Sequence, residues 1–328
     1  MQILMTQAAH DRVRDRLAPI APGAEIITVE GPDIFARAGA PITADLVQPE
    51  VVWLSLDSWL AGLLPTLVGR VMASPKTRWT QIMAAGIDEP PFPAIIQKGI
   101  RLTKSSAQAV PIAEYVLGHA LSLLIPIETQ AALQRERTWK KTPYREVAAT
   151  RWLLVGYGNI GRAIAARIRP FGADLTVARR SGADADLASR VIPQSALISA
   201  LPEADVVVLA CSMTAETRGM ADRAFFAAMK PGAILINIGR GDLVDDDALR
   251  EALDRDQPAH AVLDVFKTEP LPADSWFWDH PKVRVTSHTS NSGRGNQARG
   301  DELFLENLRR YLAGEALLYE ADPGEVGL

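Results

Sequence analysis

Three side chains that could transfer a proton and bind an anion follow predicted strands in the second half of the chain. Arg240 follows the apolar run AILINI, Glu269 follows HAVLDV and His288 follows VRVT. An imidazole moves protons near neutral pH, and a planar guanidinium binds a carboxylate through two hydrogen bonds. Because parallel strands end at one edge of a sheet, we expect the three to lie at one ligand site. Each alone has a structural explanation: Arg240 as an exposed loop cation, Glu269 as a turn carboxylate, and His288 as a histidine whose ring is hydrogen-bonded within a loop.

A glycine-rich loop begins the same half of the chain. The segment WLLVGYGNIGRAIAARI places Gly156, Gly158 and Gly161 between an apolar strand and a helix. Gly156 would allow the tight turn, Gly158 would let the backbone approach a pyrophosphate, and Gly161 would allow close packing of helix on strand. This context predicts a dinucleotide site. An ordinary turn and an S-adenosylmethionine site are the alternatives, and the later catalytic residues argue against the second.

The residues after the next strand select between the two nicotinamide cofactors. Arg179, Arg180 and Ser181 stand where a carboxylate would bind the ribose 2′-hydroxyl of NAD. Guanidinium groups suit a 2′-phosphate instead, and each charge-assisted contact contributes roughly 1.5–3 kcal/mol. The sequence therefore predicts NADP(H) as the preferred cofactor, with NAD(H) as the alternative. If the two arginines are only solvated side chains on a surface turn, they would give no preference for NADPH over NADH.

Composition restricts the class of protein. The chain has 328 residues, of which 48% are hydrophobic, and this length favours two domains. The formal charge of −4 gives no basic excess for nucleic acid or an anionic membrane. A single cysteine, Cys211, excludes an internal disulfide framework and a Cys-rich zinc site and fits a reducing compartment. Asp11 and Arg12 come too early for a secretory signal, so we expect a cytoplasmic protein.

Alternating strand-like and helical patterns predict an α/β fold with two Rossmann-like or flavodoxin-like parallel-sheet domains. We place a discontinuous substrate-binding domain at 1–104 and 291–328, and an NAD(P)-binding domain at 105–290 that includes a dimerisation helix. The active site is expected in the cleft between them. The dimerisation helix should be kinked at Pro126 and continue towards Trp139.

Two further features have structural interpretations. The apolar stretch 110–127 contains Glu114 and His119, so we expect a buried helix and no membrane span. The adjacent Asp245, Asp246 and Asp247 suit the N-terminus of a helix better than a metal site, and we predict no metal.

The motifs together resemble a known family. The ordered segments GYGNIG, TAETRGM, INIGRGDLVDDDAL, DVFKTEPLP and SHTS are similar to those of the D-isomer-specific 2-hydroxyacid dehydrogenases, over nearly the whole chain. TQIMAAGIDEPPFP resembles the family's substrate loop, AVPIAEYVLGHALSLL its dimer-forming helix and ENLRRYLAGEALL its returning C-terminal helix. The glyoxylate and hydroxypyruvate reductase branch, often NADPH-dependent, fits the arginine pair best.

The resemblance implies roles that match the chemistry of hydride transfer. As hydride reaches a 2-keto carbon, His288 would protonate the carbonyl oxygen as general acid. Glu269 would favour the protonated imidazole and orient it. Arg240 would bind the substrate carboxylate and polarise the carbonyl. The product of this reduction is a D-2-hydroxy acid.

The resemblance also implies binding residues and a homodimer. Substrate contacts are expected from Arg240, His288, Leu54, Ser55, Ala85 and Gly86, the last two through their backbone N–H groups. Trp139 would pack at the dimer interface or reach the partner's cleft. The predicted cofactor-binding residues are Gly156, Tyr157, Gly158, Asn159, Ile160, Gly161, Arg179, Arg180, Ser181, Cys211, Ser212, Thr217, Ile238, Gly239 and Asp264.

Two residues depart from the family pattern, and two alternative functions are compatible with the sequence. Ser287 and Ser212 stand where the family usually has proline. The alternatives are oxidation of a D-2-hydroxy acid by a phosphoglycerate-dehydrogenase type of enzyme, and a dinucleotide-sensing interaction protein similar to the corepressors that share this fold.

Overall fold

The chain folds into two compact units. The computed structural model describes residues 1–88, 90–180 and 185–326. Unit 1 comprises Met1–Gln108 and Arg294–Leu328, and unit 2 comprises Ala109–Gly293. The proposed domain limits at 104 and 290 lie a few residues before these limits. Both units are α/β, as the alternating patterns predict.

Unit 1 has a 7-stranded sheet in the order β4-β3-β2-β1-β5-β6-β7. Its strands are β1 (Gln2–Thr6), β2 (Glu25–Gly31), β3 (Ile34–Arg37), β4 (Ala40–Ile42), β5 (Val51–Leu54), β6 (Trp79–Ile82) and β7 (Arg101–Thr103). Its helices are α1 (Gln7–Ile20), α2 (Leu56–Leu60), α3 (Leu64–Ala73), α4 (Phe92–Gln97) and, near the C-terminus, α11 (Asn296–Ala313).

The sheet of unit 1 is parallel except at one edge, where it has an antiparallel extension that was not predicted. Strands β2, β3 and β4 pair antiparallel, whereas the other neighbours are parallel. The two residues between β2 and β3 can join only antiparallel strands, because a parallel pair needs a crossover of about a dozen residues or more. The C-terminal helix α11 returns to this unit, as expected, and Phe304 stacks on Trp53 at 4.2 Å.

Unit 2 has a 7-stranded parallel sheet in the order β10-β9-β8-β11-β12-β13-β14. Its strands are β8 (Arg151–Val155), β9 (Asp174–Arg179), β10 (Arg190–Pro193), β11 (Val206–Leu209), β12 (Ile234–Asn237), β13 (His260–Leu263) and β14 (Val283–Val285). Its helices are α5 (Ala109–Leu124), α6 (Ile127–Arg135), α7 (Asn159–Ile168), α8 (Leu197–Ala200), α9 (Arg223–Ala228) and α10 (Asp246–Leu253).

The strand order of unit 2 reverses between β8 and β11. Chain order runs outward from β8 to β9 and β10 on one side, and from β11 to β14 on the other. Loops leaving the carboxyl ends of two such strands diverge and open a crevice for a ligand. The short edge strand β10 was not predicted.

The predicted kinked helix is two helices. Helices α5 and α6 meet at an angle of 57°, and the second ends at Arg135, so Trp139 lies beyond it. Pro126 stands at the break, where a proline removes a helical hydrogen bond. Ile112 and Val116 of α5 share a buried core with Ile164 of α7. Within the described residues, no single helix has the length and apolarity to cross a membrane; α5 and α6 meet that criterion only as a bent pair, on length and composition alone.

Helix α10 begins as the acidic run predicts. The Asp245 carboxylate accepts hydrogen bonds from the backbone N–H groups of Asp247 and Ala248, at 3.1 and 3.0 Å. This N-cap satisfies two donors that would otherwise lack partners. Asp246 contacts Lys267 at 3.2 Å.

Candidate active site

The glycine loop between β8 and α7 has the turn and the packing that the motif predicts. Gly156 has φ +100°, and a Cβ there would lie 2.8 Å from the backbone of Cys211. A Cβ at Gly161 would lie 2.4 Å from the carbonyl oxygen of Gly156. A Cβ at Gly158 would meet nothing within 4 Å. Neither Gly156 nor Gly161 can take a side chain, and Gly158 leaves open space at the start of α7.

The arginine pair lies at the end of β9, beside Tyr157 of the glycine loop. The Arg179 guanidinium carbon is 6.0 Å from the centre of the Tyr157 ring, and Arg180 is exposed. The Tyr157 hydroxyl donates a hydrogen bond to Asp186 at 2.8 Å. Partial burial, with help from that carboxylate, raises the pKa of Tyr157. Ser181, also predicted to bind the cofactor, lies outside the described residues.

The turn after β11 faces the glycine loop through its backbone. Thr217 is buried, and its hydroxyl donates to the carbonyl of Ser212 at 2.9 Å, which closes the turn. Cys211 lies at the end of β11 with Sγ 3.8 Å from Met220 Sδ. Burial raises the pKa of the Cys211 thiol to about 11. Thr217 therefore shapes the turn, and Cys211 is a neutral thiol at physiological pH.

The turn after β12 presents Arg240. The Asn237 amide donates to the carbonyl of Arg240 at 2.9 Å and accepts from the N–H of Gly239 at 3.1 Å. A Cβ at Gly241 would lie 2.0 Å from the carbonyl carbon of Phe266. The absence of a side chain at Gly241 thus lets the Arg240 turn lie against the segment that follows β13. Ile238 is buried in the core.

That segment carries Glu269, which contacts His288. One oxygen of the Glu269 carboxylate accepts the Phe266 N–H at 2.8 Å, and the other lies 2.7 Å from His288 Nδ1. The His288 side chain is 41% exposed. Because Nδ1 is held by the carboxylate, Nε2 is the nitrogen left for a substrate. The fold of unit 2 thus brings the Arg240 turn, Glu269 and His288 to one edge of the sheet.

Asp264 lies within a network of hydrogen bonds from the loop that contains His288. It has no exposed surface, and its carboxylate accepts from the Thr286 hydroxyl and from the N–H groups of Thr289 and Ser290 at 2.6–3.0 Å. A carboxylate enclosed by three protein donors holds a loop together. Asp264 therefore fixes the loop that contains His288, and its predicted contact with the cofactor stays a prediction.

The predicted substrate residues of unit 1 lie at the carboxyl ends of its central strands. Leu54 is 1% exposed and packs in the core, and its predicted contact with the substrate stays a prediction. Ser55 is also buried, with Oγ 3.2 Å from Asp57. Ala85 and Gly86 are partly exposed in the loop after β6, where backbone N–H groups can meet a ligand.

Three positioning residues were missed by sequence reasoning. They are Asn237, Gly241 and Thr286. The signals were present, since Asn237 is a polar residue that ends an apolar strand and Gly241 follows Arg240 directly. Thr286 precedes the His288 turn, but its partner Asp264 is 22 residues away in sequence, so nothing local indicates the contact.

The residues present fit a dinucleotide. The open space at Gly158 adjoins the N-terminus of the 10-residue helix α7, which favours a phosphate group. Two guanidinium groups stand at the end of β9, and the strand order reverses between β8 and β11, the position at which sheets of this kind bind ligands. In residues 1–88, 90–180 and 185–326, His, Cys, Asp and Glu side chains form no group of three or more suited to a metal ion.

Comparisons with known proteins agree with this geometry. A sequence model described as "D-isomer specific 2-hydroxyacid dehydrogenase, NAD binding domain" matches residues 117–290. D-3-phosphoglycerate dehydrogenase of Mycobacterium bovis is 31% identical over 92% of this chain, which spans only 57% of that relative's length. Glyoxylate/hydroxypyruvate reductase A of Serratia proteamaculans is 30% identical over 63% of this chain and 68% of its own. A solved D-isomer specific 2-hydroxyacid dehydrogenase from Xanthobacter autotrophicus Py2, in complex with NADPH and MES, is 26% identical, with a TM-score of 0.78 over 99% of each chain. The chain therefore belongs to the D-isomer specific 2-hydroxyacid dehydrogenase family.

Proposed function

We propose that this protein reduces a small 2-keto acid of the glyoxylate or hydroxypyruvate type to the D-2-hydroxy acid, with NADPH as the preferred cofactor. The observation that carries the proposal is the 2.7 Å contact of Glu269 with Nδ1 of His288, beside the turn that presents Arg240. These three groups can supply a proton, orient its donor and bind a carboxylate.

The glycine loop and the arginine pair would hold the cofactor. The backbone at Gly158 and the N-terminus of α7 would bind the pyrophosphate, and Arg179 and Arg180 the 2′-phosphate. When bound, the nicotinamide ring supplies the hydride. The Xanthobacter relative is in complex with NADPH, which supports the same preference here.

The protein's own residues would complete the reduction. Arg240 binds the carboxylate of the keto acid and stabilises the charge that develops on the carbonyl oxygen. His288 donates a proton from Nε2 to that oxygen. Glu269 holds the ring through Nδ1 and provides the counter-charge to the imidazolium.

The test is NADPH oxidation with glyoxylate, hydroxypyruvate, pyruvate and phenylpyruvate, with NADH alongside and the product resolved by a chiral method. We expect turnover that favours NADPH, gives the D-isomer and collapses in His288→Ala. His10→Ala, a change of the same kind on α1, is the control and keeps wild-type turnover. Tight NADPH binding without turnover on any of the acids would contradict the proposal.

A second candidate is oxidation of D-3-phosphoglycerate, because several relatives of about the same identity bear that name. NAD reduction with D-3-phosphoglycerate would distinguish it. A dinucleotide-sensing protein would instead retain partners in a pull-down only when NADPH is present, and show no turnover.

We also propose a homodimer formed through α6 and the segment after it. Helix α6 has no buried residue, and Trp139 is fully exposed. Ile127 of α6 is also exposed, and exposed apolar side chains of this kind favour an interface. Sedimentation equilibrium of the wild type and of Trp139→Ser tests this, and a monomeric wild type would contradict it. A cytoplasmic location stays a prediction.

A further inference from the structure

A chain of hydrogen bonds connects helix α5 to the loop that contains His288. The hydroxyls of Tyr115 and Thr286 are 2.7 Å apart, and the Thr286 hydroxyl is 2.6 Å from the Asp264 carboxylate. A carboxylate without a proton can only accept, so Thr286 donates to Asp264. The single hydroxyl hydrogen of Thr286 is then used, and Tyr115 must donate to Thr286. Burial raises the pKa of the Tyr115 phenol well above its usual value, which keeps this donor protonated.

Asp264 fixes the backbone on both sides of His288. Its carboxylate binds the Thr286 hydroxyl before the histidine and the N–H groups of Thr289 and Ser290 after it. Its carbonyl oxygen accepts the N–H of His288 itself at 2.8 Å. Because Asp264 is fully buried, the loss of one of its donors is not replaced by water.

His288 needs this support because its backbone is left-handed, with φ +50°. A residue other than glycine keeps such a conformation only when its surroundings determine it. A relaxed loop would let His288 return to negative φ. That change would turn the imidazole away from Glu269, because the direction of the side chain follows the backbone.

The strand before His288 is attached to α5 at a second point. Arg284 of β14 donates to the Ser122 hydroxyl on α5 and to Glu128 of α6 at 2.7 Å. Helix α5 itself is placed by its buried contacts with α7, the helix that follows the glycine loop. The position of Tyr115 is therefore set by the same packing that forms the cofactor-binding half of unit 2.

We propose that Tyr115 is a positioning residue for the reaction, which acts through Thr286 and Asp264 to hold His288 in its left-handed conformation against Glu269. It touches none of the reacting groups. Its hydroxyl donates to the oxygen of Thr286, whose own hydroxyl hydrogen is donated to the Asp264 carboxylate. The inference rests on the proposed function only where turnover is the readout.

The test measures kinetics and backbone exchange in Tyr115→Phe, Thr286→Val and Thr286→Ser. We expect kcat to fall about two- to tenfold in Tyr115→Phe and about ten- to a hundredfold in Thr286→Val, the range for a lost hydrogen bond and for an incompletely satisfied buried carboxylate. KM for the keto acid and the dissociation constant for NADPH should stay unchanged. Thr286→Ser keeps the hydroxyl and should restore most of the rate.

Hydrogen–deuterium exchange of the peptide covering residues 284–292 is the readout that needs no turnover. Exchange should be faster in Tyr115→Phe and Thr286→Val than in the wild type, and nearly normal in Thr286→Ser. Tyr311→Phe is the matched control, because it removes a phenol that donates to Glu50 in unit 1 at 2.8 Å. It should leave kcat and the exchange of this peptide unchanged.

The two proposals fail in different ways. Wild-type kcat and wild-type exchange in Tyr115→Phe would overturn the positioning role, as would an equal loss of kcat in Tyr311→Phe. A wild type without turnover on 2-keto acids would overturn the proposed function, while faster exchange in Tyr115→Phe would still support the connection to His288.

Discussion

Glu269 holds two groups at once: its Oε2 lies 2.7 Å from His288 Nδ1, and its Oε1 accepts the N–H of Phe266 at 2.8 Å. The second bond fixes the carboxylate to the segment after β13. The position of the imidazole is therefore set by the sheet and not by a mobile side chain. The backbone of Phe266 also packs against Gly241, next to Arg240. One short segment therefore sets the spacing of the Arg240 turn and the His288 imidazole.

Glu269→Gln should lower kcat about ten- to a hundredfold, part of the 10²–10⁴ that a positioned proton donor contributes. The amide oxygen can still accept from Phe266, so the loop should stay in place while the negative charge beside His288 is lost. Steady-state kinetics and thermal unfolding of the same preparation check this. A wild-type kcat in this variant would exclude Glu269 from the reaction.

Arg240→Lys should impair the enzyme although it keeps the charge. A lysine has no planar pair of donors to bind a carboxylate and polarise a carbonyl together. We expect KM for the keto acid to rise and kcat to fall, each by roughly tenfold or more, the value of one charge-assisted hydrogen bond of about 1.5–3 kcal/mol. Arg309→Lys on α11 serves as the control. Equal kinetics in the two variants would contradict the role.

Arg179→Ala combined with Arg180→Ala should reduce the preference for NADPH over NADH by about a hundredfold or more, since two charge-assisted contacts to the 2′-phosphate are lost. Affinity for NADH should change little, because that cofactor has no such phosphate. Titration of intrinsic fluorescence measures both dissociation constants. An unchanged ratio of the two dissociation constants would mean that Arg179 and Arg180 are only solvated side chains on a surface turn.

Gly241→Ala should destabilise the protein by about 1–3 kcal/mol, as overpacking does. The new Cβ would lie 2.0 Å from backbone atoms of Phe266, which cannot move without moving the Glu269 segment. Gly118→Ala in α5 is the control, since a Cβ there meets nothing within 4 Å and alanine favours a helix. Urea denaturation of both variants gives the comparison, and a Gly241→Ala as stable as the wild type would contradict the close approach.

The Cys211 thiol should react slowly with alkylating reagents at neutral pH and faster as the pH rises. Burial raises its pKa to about 11, whereas a free cysteine has about 8.5. Ionisation of this thiol therefore leaves the free energy of unfolding unchanged below about pH 8.5. It lowers that free energy as the pH rises towards 11, because the thiol of the unfolded chain ionises first. Mass spectrometry after iodoacetamide treatment is unambiguous because Cys211 is the single cysteine. Rapid labelling of the folded protein at pH 7 would contradict the prediction.

Local patterns were sufficient for most of the framework. The apolar runs predicted the central strands of both sheets, because a buried parallel strand needs continuous apolar residues. Gly156 and Gly161 were readable because only glycine fits those turns, and Asp245 because an N-cap is a local structure. The antiparallel extension β3 and β4 was missed because its short strands have no strong alternation.

The burial of Leu54 and of Asp264 could not be predicted locally, because burial depends on what packs from elsewhere in the chain. The sequence by itself determined the α/β class, the dinucleotide loop, the arginine pair and the order of Arg240, Glu269 and His288. Only the tertiary structure decided that Glu269 meets Nδ1, that Gly241 permits the Arg240 turn, and that Tyr115 and Thr286 lead to Asp264. The physical reason is that these are contacts between residues far apart in sequence, whose distances depend on how strands and helices pack.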